Sequence, residues 1–274
     1  MIRFGNRSTL LGLVTMALLL AVGPARADHE RGTLHYLAVG VSDYANINNL
    51  PCAQKDAIEL GKYWDRQKGG LYHEVVGRTL INREATRKNI IDGLERMAVQ
   101  AKAGDTVVVS LAGHGGAIGP RGGEWGFMPH EFDSANEAAT CVFGSDLRDR
   151  LACMVRNGAT VVLILDSCFS GGICANDAGI ILFASSQAHQ TSQEHGRIGH
   201  GFFTKALLEA LEGKADTDND GYVSLAEIED YVAKRIAELN KEFPDRLGRP
   251  NVQNPISALP MAVRGNLPLV RAGR

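Results

Sequence analysis

The chain has 274 residues, with 29 lysines and arginines against 31 aspartates and glutamates and a formal net charge of −2 at pH 7. This length is enough for one large domain or two small ones. The slightly acidic balance excludes the basic face that nucleic-acid binding requires, and no segment after residue 27 is long and apolar enough to cross a bilayer.

Residues 1–27 have the pattern of a secretory signal peptide. Arg3 and Arg7 precede an apolar run over 10–22, and the tripeptide Ala-Arg-Ala at 25–27 is a small-x-small cleavage site. The apolar run is short for a membrane span, and an uncleaved anchor is the alternative. We therefore expect export, a periplasmic or secreted location, and no membrane association once the signal is removed.

Strand and helix patterns alternate along residues 34–211. The strand patterns cover 34–41, 72–80, 105–111, 160–165 and 180–184, and the helix patterns cover 53–67, 86–103, 146–156 and 202–211. The glycine-rich segment 115–140 predicts a long loop with a hairpin near 125–128, and 187–201 predicts a surface loop. This alternation indicates an α/β fold with a largely parallel central sheet flanked by helices.

Two of the predicted strands end in reactive side chains. Cys168 follows the strand 160–165, and His114 follows the strand 105–111. Open parallel sheets place their ligand sites at the carboxyl ends of strands, so we expect this thiol and this imidazole to meet. An imidazole can generate a nucleophilic thiolate, and the amides of Gly115 and Cys168 are candidate donors to an oxyanion. Taken singly, a buried cysteine is usually an inert apolar residue.

These segments resemble the catalytic boxes of metacaspases and bacterial caspase-like peptidases. The sequence DSCFSG at 166–171 is similar to their D-S-C-x-S-G box, and AGHG at 112–115 is similar to their S-G-H-G box. Residues 37–57 and 200–210 resemble their opening segments and their H-G-x-F-T-x-A-L-L helix. The resemblance implies a caspase-like sandwich over 34–211, a His114/Cys168 dyad with no required third member, and cleavage of peptide bonds.

The same resemblance assigns two substrate-binding acids. Asp166 stands two residues before the proposed nucleophile, where metacaspases carry a pocket acid, and Asp56 occupies the matching position of the second box. An acidic pocket floor favours a cationic side chain, which implies cleavage after Arg or Lys. Without the resemblance, Asp166 is equally a carboxylate that caps a turn, and Asp56 a charge near a helix N-terminus. Ala112 and Phe169 depart from the serine and histidine common in the family.

The segment 216–227, DTDNDGYVSLAE, fits the calcium loop of an EF-hand. It lies between a helix ending near 211 and a second predicted helix over 225–239. The expected calcium ligands are Asp216, Asp218, Asp220, the carbonyl of Tyr222, Ser224 and Glu227. The alternative is a solvated acidic turn, and a bound ion is expected either to stabilise the fold or to regulate activity.

The five cysteines leave the disulfide pattern open. An exported chain permits disulfides, and an odd count leaves one thiol free, which we expect to be Cys168. The other four allow three pairings, among which Cys141 with Cys153 is favoured by their closeness in sequence. The absence of any disulfide is the alternative.

Together these patterns predict an exported cysteine endopeptidase in four segments. They are a signal peptide over 1–27, a caspase-like catalytic domain over 28–211, an EF-hand-like element over 212–241, and an irregular segment over 242–274 that packs back on the catalytic domain. We expect a monomer that binds calcium and acts on proteins or peptides. The alternatives are a calcium-binding interaction module on a silent peptidase fold, a peptidase of different specificity, and a zymogen cut at a basic loop residue.

Overall fold

The computed structural model describes Met1 and residues 31–119, 123–173, 178–245 and 247–273. The expected signal peptide, apart from Met1, and Cys174 therefore lie outside the described residues. None of the helices in these ranges combines the length and the apolar character that crossing a membrane requires.

Helices and strands alternate in the first two thirds of the chain. The strands are β1 (Arg31–Gly40), β2 (Tyr72–Ile81), β3 (Thr106–Ala112), β4 (Gly115–Ile118), β5 (Glu124–Phe127), β6 (Val142–Phe143), β7 (Thr160–Asp166), β8 (Ile181–Ala184), β9 (Glu194–His195), β10 (His200–Gly201), β11 (Tyr222–Ser224), β12 (Ile256–Ala258) and β13 (Pro268–Arg271). The α-helices are α1 (Ala53–Asp65), α2 (Arg87–Gln100), α3 (Glu137–Thr140), α4 (Gly144–Arg156), α5 (Phe202–Glu209) and α6 (Leu225–Glu242).

A six-stranded sheet of order β12-β8-β7-β3-β1-β2 forms the centre of the molecule. All neighbouring strands pair in parallel except β12, which is antiparallel to β8. The predicted α/β fold with a largely parallel sheet is confirmed.

Helices cover both faces of this sheet. Side chains of α2 and α4 pack on one face, and side chains of α1, α5 and α6 pack on the other. Successive strand residues alternate between the two clusters: Leu163 and Leu165 face α2 and α4, whereas Val162 and Ile164 face the opposite side. Burial on both faces explains why the strand sequences are continuously apolar. Full burial of each large apolar side chain stabilises the folded state by roughly 1.5–3 kcal/mol relative to leaving it exposed.

The register between β3 and β7 positions the site. Ala112 pairs with Asp166, so the two strands end at the same level of the sheet. Beyond this pair the Gly113 amide still donates to the Asp166 carbonyl at 3.1 Å. Residues that follow the two strands therefore emerge side by side.

Two regions are more regular than the sequence predicts. The glycine-rich loop after His114 contains the antiparallel strands β4, β5 and β6, and the C-terminal segment contains β12 and β13. The sequence predicts a frayed C-terminal end, yet Leu269 and Val270 are buried. They are ordered because β13 pairs with β11, which would otherwise expose an open strand edge.

Candidate active site

His114 and Cys168 lie at neighbouring positions on the carboxyl edge of the sheet. Each follows its strand by two residues, and the strands end in the paired residues Ala112 and Asp166. The two loops also touch, because a Cβ added to Gly115 would lie 2.8 Å from the Ser167 hydroxyl. The strand register thus places the segment that carries the thiol beside the segment that carries the imidazole.

The imidazole of His114 is held by the loop between β1 and α1. Its Nε2 lies 2.8 Å from the Asn48 carbonyl oxygen, and its backbone amide donates to the Tyr44 hydroxyl at 2.7 Å. A carbonyl only accepts, so Nε2 carries the hydrogen and Nδ1 is the basic nitrogen. The sequence did not identify Asn48 as part of the site, because a backbone carbonyl leaves no side-chain signature.

The turn that carries Cys168 is fixed by serines from the end of β8. The Ser185 hydroxyl accepts from the Ser167 amide at 3.2 Å and donates to the Ser167 carbonyl at 3.1 Å, and Ser186 donates to the same carbonyl. Phe169 has a left-handed backbone with φ of 59°, a strain of about 1–3 kcal/mol for a non-glycine residue. Its amide donates to Gln190 at 2.9 Å. The turn is therefore a strained support for the thiol whose backbone is held by hydrogen bonds, although the Ser167 hydroxyl is itself buried without a partner.

The thiol of Cys168 is free and partly buried. Burial raises its pKa, the charges of Asp166 and Glu194 raise it further, and a hydrogen bond from the Ser192 amide opposes them. The resting thiol is therefore protonated rather than a stored thiolate. For such a thiol to act as a nucleophile, a base would have to remove its proton, and Nδ1 of His114 is a candidate for that role.

Gly115 presents an amide that its own sheet does not use. Met128 donates to the His114 carbonyl at 3.0 Å, which makes 114 and 128 a hydrogen-bonded pair of the β4–β5 ladder. Gly115 is opposite Phe127 at the next, non-hydrogen-bonded position, so its amide points away from β5. Since β4 is an edge strand of its sheet, this amide points away from the ladder and toward the side of the hairpin that has no neighbouring strand.

The hydrogen bonds of Asp166 are those of a capping carboxylate. Its Oδ1 accepts from the Ser192 hydroxyl at 2.7 Å. Its Oδ2 accepts from the Thr204 hydroxyl at 2.7 Å and from the Thr204 amide at 3.1 Å. The N-cap of α5 is Gly201, which has no side chain to cap the helix, so Asp166 serves as the cap across the tertiary fold.

Asp56 lies beside Asp166. A Cβ added to Gly201 would be 2.6 Å from Oδ2 of Asp166 and 3.4 Å from Oδ2 of Asp56, so both acids flank the same backbone. Asp56 also binds Nδ1 of His200 at 2.5 Å and the Gly201 amide at 3.1 Å. The structure therefore brings the two predicted pocket acids together.

Glu194 is a third acid that sequence reasoning missed. It lies in β9, inside the predicted surface loop, and accepts from the Cys52 amide at 3.1 Å. Burial raises its pKa to about 8, with the charges of Asp166 and Asp56 adding to the effect. Burial likewise raises the pKa of Asp56 to about 6, although the hydrogen bond from His200 opposes it.

These three carboxyls form the carboxylate cluster: Asp56, Asp166 and Glu194. Within the described ranges no lysine or arginine forms a salt bridge with any of them. Burial raises the pKa of all three carboxyls, and repulsion by neighbouring acids raises the pKa of Asp56 and Glu194 further. A cationic guest would relieve that repulsion.

The loop 216–227 gathers three of its six predicted ligands. Oxygens of Asp216, Asp218 and Glu227 lie within 4.8 Å of one another. Gly221 takes the left-handed conformation with φ of 86° that turns the loop inward, and its amide donates to Asp216 Oδ2 at 3.2 Å. Oδ1 of Asp216 is buried without a hydrogen-bond partner. Such an orphaned carboxylate oxygen fits a cation ligand.

Of the remaining predicted ligands, the Ser224 hydroxyl lies 2.8 Å from Oε2 of Glu227. Asp220 accepts from the Tyr222 amide at 2.8 Å, and Tyr222 and Ser224 belong to β11. Glu227 accepts hydrogen bonds from Ser224 and Thr217. Bidentate binding of an ion by Glu227 would have to replace these bonds.

Cys141 and Cys153 are both free, so the favoured disulfide is wrong. The Cys141 sulfur points toward β5, where it donates to the Phe127 carbonyl at 3.3 Å. Cys153 lies on α4, more than two turns after the start of that helix. Closeness in sequence does not bring the two sulfurs together, because the intervening helix carries Cys153 away from the hairpin.

Comparison with known proteins places these features in a family context. The family described as "Caspase domain" matches residues 35–257, a range that includes the dyad positions and the carboxylate cluster. The structure is similar to the crystal structure of protein GSU0716 from Geobacter sulfurreducens, with a TM-score of 0.62 and 17% identity over 88% of this chain and 99% of that chain. At that identity the likeness concerns the fold alone. No curated protein matches the chain.

Proposed function

The chain belongs to the caspase domain family, and on that premise we propose that it is a cysteine endopeptidase in which Cys168 is the nucleophile and His114 the base. One observation carries the proposal: the register of β3 with β7 ends both strands at one level, with His114 and Cys168 two residues beyond. The amides of Gly115 and Cys168 are the oxyanion donors in this proposal.

The reaction follows from the hydrogen-bond pattern around the imidazole. As the Cys168 sulfur attacks the peptide carbonyl, the thiol proton passes to Nδ1 of His114 and the carbonyl oxygen becomes an oxyanion. The Asn48 carbonyl accepts from Nε2, which keeps the ring oriented while it is positively charged. His114 then protonates the leaving amine, the carbon–nitrogen bond breaks, and water hydrolyses the acyl-enzyme.

The carboxylate cluster supports cleavage after Arg or Lys. Asp56 and Asp166 accept from several internal donors, whereas among the described residues Glu194 accepts from the Cys52 amide alone. A guanidinium or ammonium group would supply a positive charge that no described lysine or arginine gives these acids. Glu194 is therefore a substrate-binding residue in addition to Asp56 and Asp166.

Calcium binding by the loop 216–227 is part of the same proposal. Asp216, Asp218 and Glu227 would hold the ion, and the loop also offers Asp220, Ser224 and the carbonyl of Tyr222. When bound, calcium would neutralise the repulsion among these acids. The orphaned oxygen of Asp216 and the close approach of the three carboxylates support this assignment.

Export and a monomeric state complete the proposal. The pattern of residues 1–27 supports cleavage before Asp28. N-terminal sequencing of the protein recovered from an expressing bacterium is expected to begin at Asp28, and light scattering is expected to give the mass of a single chain.

The decisive test is Cys168→Ala in purified protein. We expect wild-type protein to cleave Arg and Lys reporter peptides and not acidic ones, and the variant to lose at least about three orders of magnitude in rate because no nucleophile remains. Cys153→Ala, which removes another free thiol, is the matched control and should keep full activity. Cleavage that survives in Cys168→Ala would refute the assignment, and wild-type protein without hydrolysis would favour a silent module.

A further inference from the structure

A cleft of about 490 Å³ lies beside Cys168 and is not used by the chemistry described so far. Its walls come from the β4–β5 hairpin, the start of α4 and the turn after Cys168. The apolar lining residues are Ala117, Trp125, Phe169, Ile173 and Ala188. A Cβ added to Gly172 would lie 3.7 Å from Trp125 and 3.9 Å from Ala188. The side chains of Trp125 and Ala188 are therefore separated by little more than the Gly172 backbone.

The cleft adjoins the imidazole side of the dyad. β4 begins directly after His114, and Ala117 on this strand is exposed to the cleft. Trp125 donates from its indole nitrogen to the Cys168 carbonyl at 3.3 Å. In the proposed reaction His114 protonates the leaving amine, so the substrate residues that follow the cut bond pass along this hairpin.

The carboxylate cluster and the cleft lie on opposite faces of the sheet. Asp56 belongs to α1, and Asp166 is bound to Thr204 of α5, the helices on one face. Trp125 and Ile173 pack with the apolar cluster of the other face. Successive side chains of an extended peptide point in opposite directions. With a basic side chain in the carboxylate cluster, the next side chain is therefore directed toward the cleft.

We propose that this cleft binds the side chain of the residue immediately after the cut bond and selects a large apolar side chain, aromatic above all. The inference rests on the proposed peptidase function and adds a second specificity determinant to it. The cleft is also lined by two charged residues. The Glu124 carboxylate accepts from the Ser145 amide at 2.5 Å, and Arg148 forms an ion pair, at 4.0 Å, with the adjacent Asp149.

The test uses internally quenched peptides that differ only in the residue after Arg: Phe, Ala or Asp. Burial of an aromatic side chain predicts a kcat/KM for Arg–Phe roughly tenfold or more above that for Arg–Ala. A second series varies the residue before Arg between Phe and Ala, because that side chain also points away from the carboxylate cluster. It is expected to show no preference.

Two substitutions fill the cleft without touching the dyad. Ala188→Trp and Ala117→Trp change exposed residues of its wall and should each reduce the Phe-over-Ala preference to near one while Arg–Ala is still cleaved. Ala237→Trp, at an exposed position of α6, is the control and should keep the preference. Circular dichroism melting establishes that each variant is folded.

The outcomes separate this inference from the proposed function. Three outcomes would overturn this inference but leave the proposed peptidase function intact. They are cleavage with no preference for the residue after Arg, a preference confined to the residue before Arg, and a preference that survives both cleft-filling substitutions. If no peptide is cleaved by any folded protein, the proposed function fails and this inference fails with it.

Discussion

At the scale of single residues, the site is defined by groups whose charge is controlled by burial. The Cys168 thiol is kept protonated by burial and by neighbouring acids. Glu194 is kept partly protonated near neutral pH for the same reason. The two effects would act on different steps of the proposed reaction, since one concerns the proposed nucleophile and the other concerns the proposed recognition of a basic side chain.

The raised pKa of Glu194, about 8, predicts a pH-dependent specificity. The carboxyl is neutral below that pKa and negative above it, so preference for a cation should increase as the pH rises through about 8. We expect the ratio of kcat/KM for Arg and citrulline peptides to rise between pH 6 and pH 9. Taking the ratio cancels the titration of Cys168, which affects both substrates equally.

Glu194→Gln is the matched variant for this measurement. It keeps an oxygen that can accept from Cys52 but removes the titrating charge, so the ratio should be lower and its rise near pH 8 should be lost. A wild-type ratio that does not change over this pH range would contradict the role of Glu194, and so would an equal rise in the variant.

At the scale of secondary-structure elements, α5 links the carboxylate cluster to the loop 216–227. Its first turn binds Asp166 through Thr204. Its last turn continues into the π-helical segment Ala210–Lys214, directly before Asp216. The helix therefore has one end at the proposed substrate pocket and the other at the proposed calcium loop.

Thr204→Val tests how far α5 positions Asp166. The change removes the buried hydroxyl donor but keeps the backbone donor, and losing one such hydrogen bond costs about 1–3 kcal/mol. We expect a lower urea midpoint and a several-fold higher KM for Arg peptides. Thr204→Ser restores the hydroxyl and should recover most of the KM. Equal KM values for the Thr204→Val and Thr204→Ser variants would show that the Thr204 hydroxyl does not position Asp166.

Calcium should stabilise the folded chain if the loop 216–227 binds it. Because an ion that binds only the native state adds RT ln(1 + [Ca]/Kd), about 2.7 kcal/mol at a hundredfold excess over Kd, the Tm should rise in calcium relative to chelator. Glu227→Gln should abolish this increment, whereas Asp230→Asn, an exposed change on α6, should keep it. An increment of the same size in Glu227→Gln would exclude this loop as the site.

At the scale of the whole molecule, the C-terminal segment completes two sheets. β12 extends the central sheet beside β8, and β13 pairs with β11 next to the loop 216–227. The Tyr72 hydroxyl donates to the Leu269 carbonyl at 2.7 Å, which fixes the C-terminal segment to β2. The C-terminal residues are thus part of the core rather than an appendage.

Leu269→Ala tests this contribution to stability. Leu269 is 2% exposed, and truncating a buried leucine costs about 2–5 kcal/mol. We expect a matching loss in the free energy of unfolding measured with urea. Leu247→Ala, at a residue that is 75% exposed, should change the stability by less than about 0.5 kcal/mol. Equal stabilities of the two variants would show that β13 is dispensable.

Much of the fold was predictable because it is encoded locally. Buried parallel strands require continuous apolar residues, and amphipathic helices require a 3.6-residue period, so 160–165 and 86–103 were recognisable. The hairpin after His114 was predicted only in part. Its strands are rich in glycine and short, so their pairing depends on packing against the turn after Cys168.

The sequence by itself determined the chemistry at two strand ends: a thiol and an imidazole, each among glycines, with Asp166 beside the thiol and an acidic loop further along. Only the tertiary structure decided what surrounds them. Glu194 joins Asp56 and Asp166 because β9 folds back, the imidazole is oriented by the carbonyl of Asn48, and Asp166 caps α5. A backbone carbonyl and a contact between distant segments have no local sequence signature, because they exist only once the sheet has brought its strand ends together.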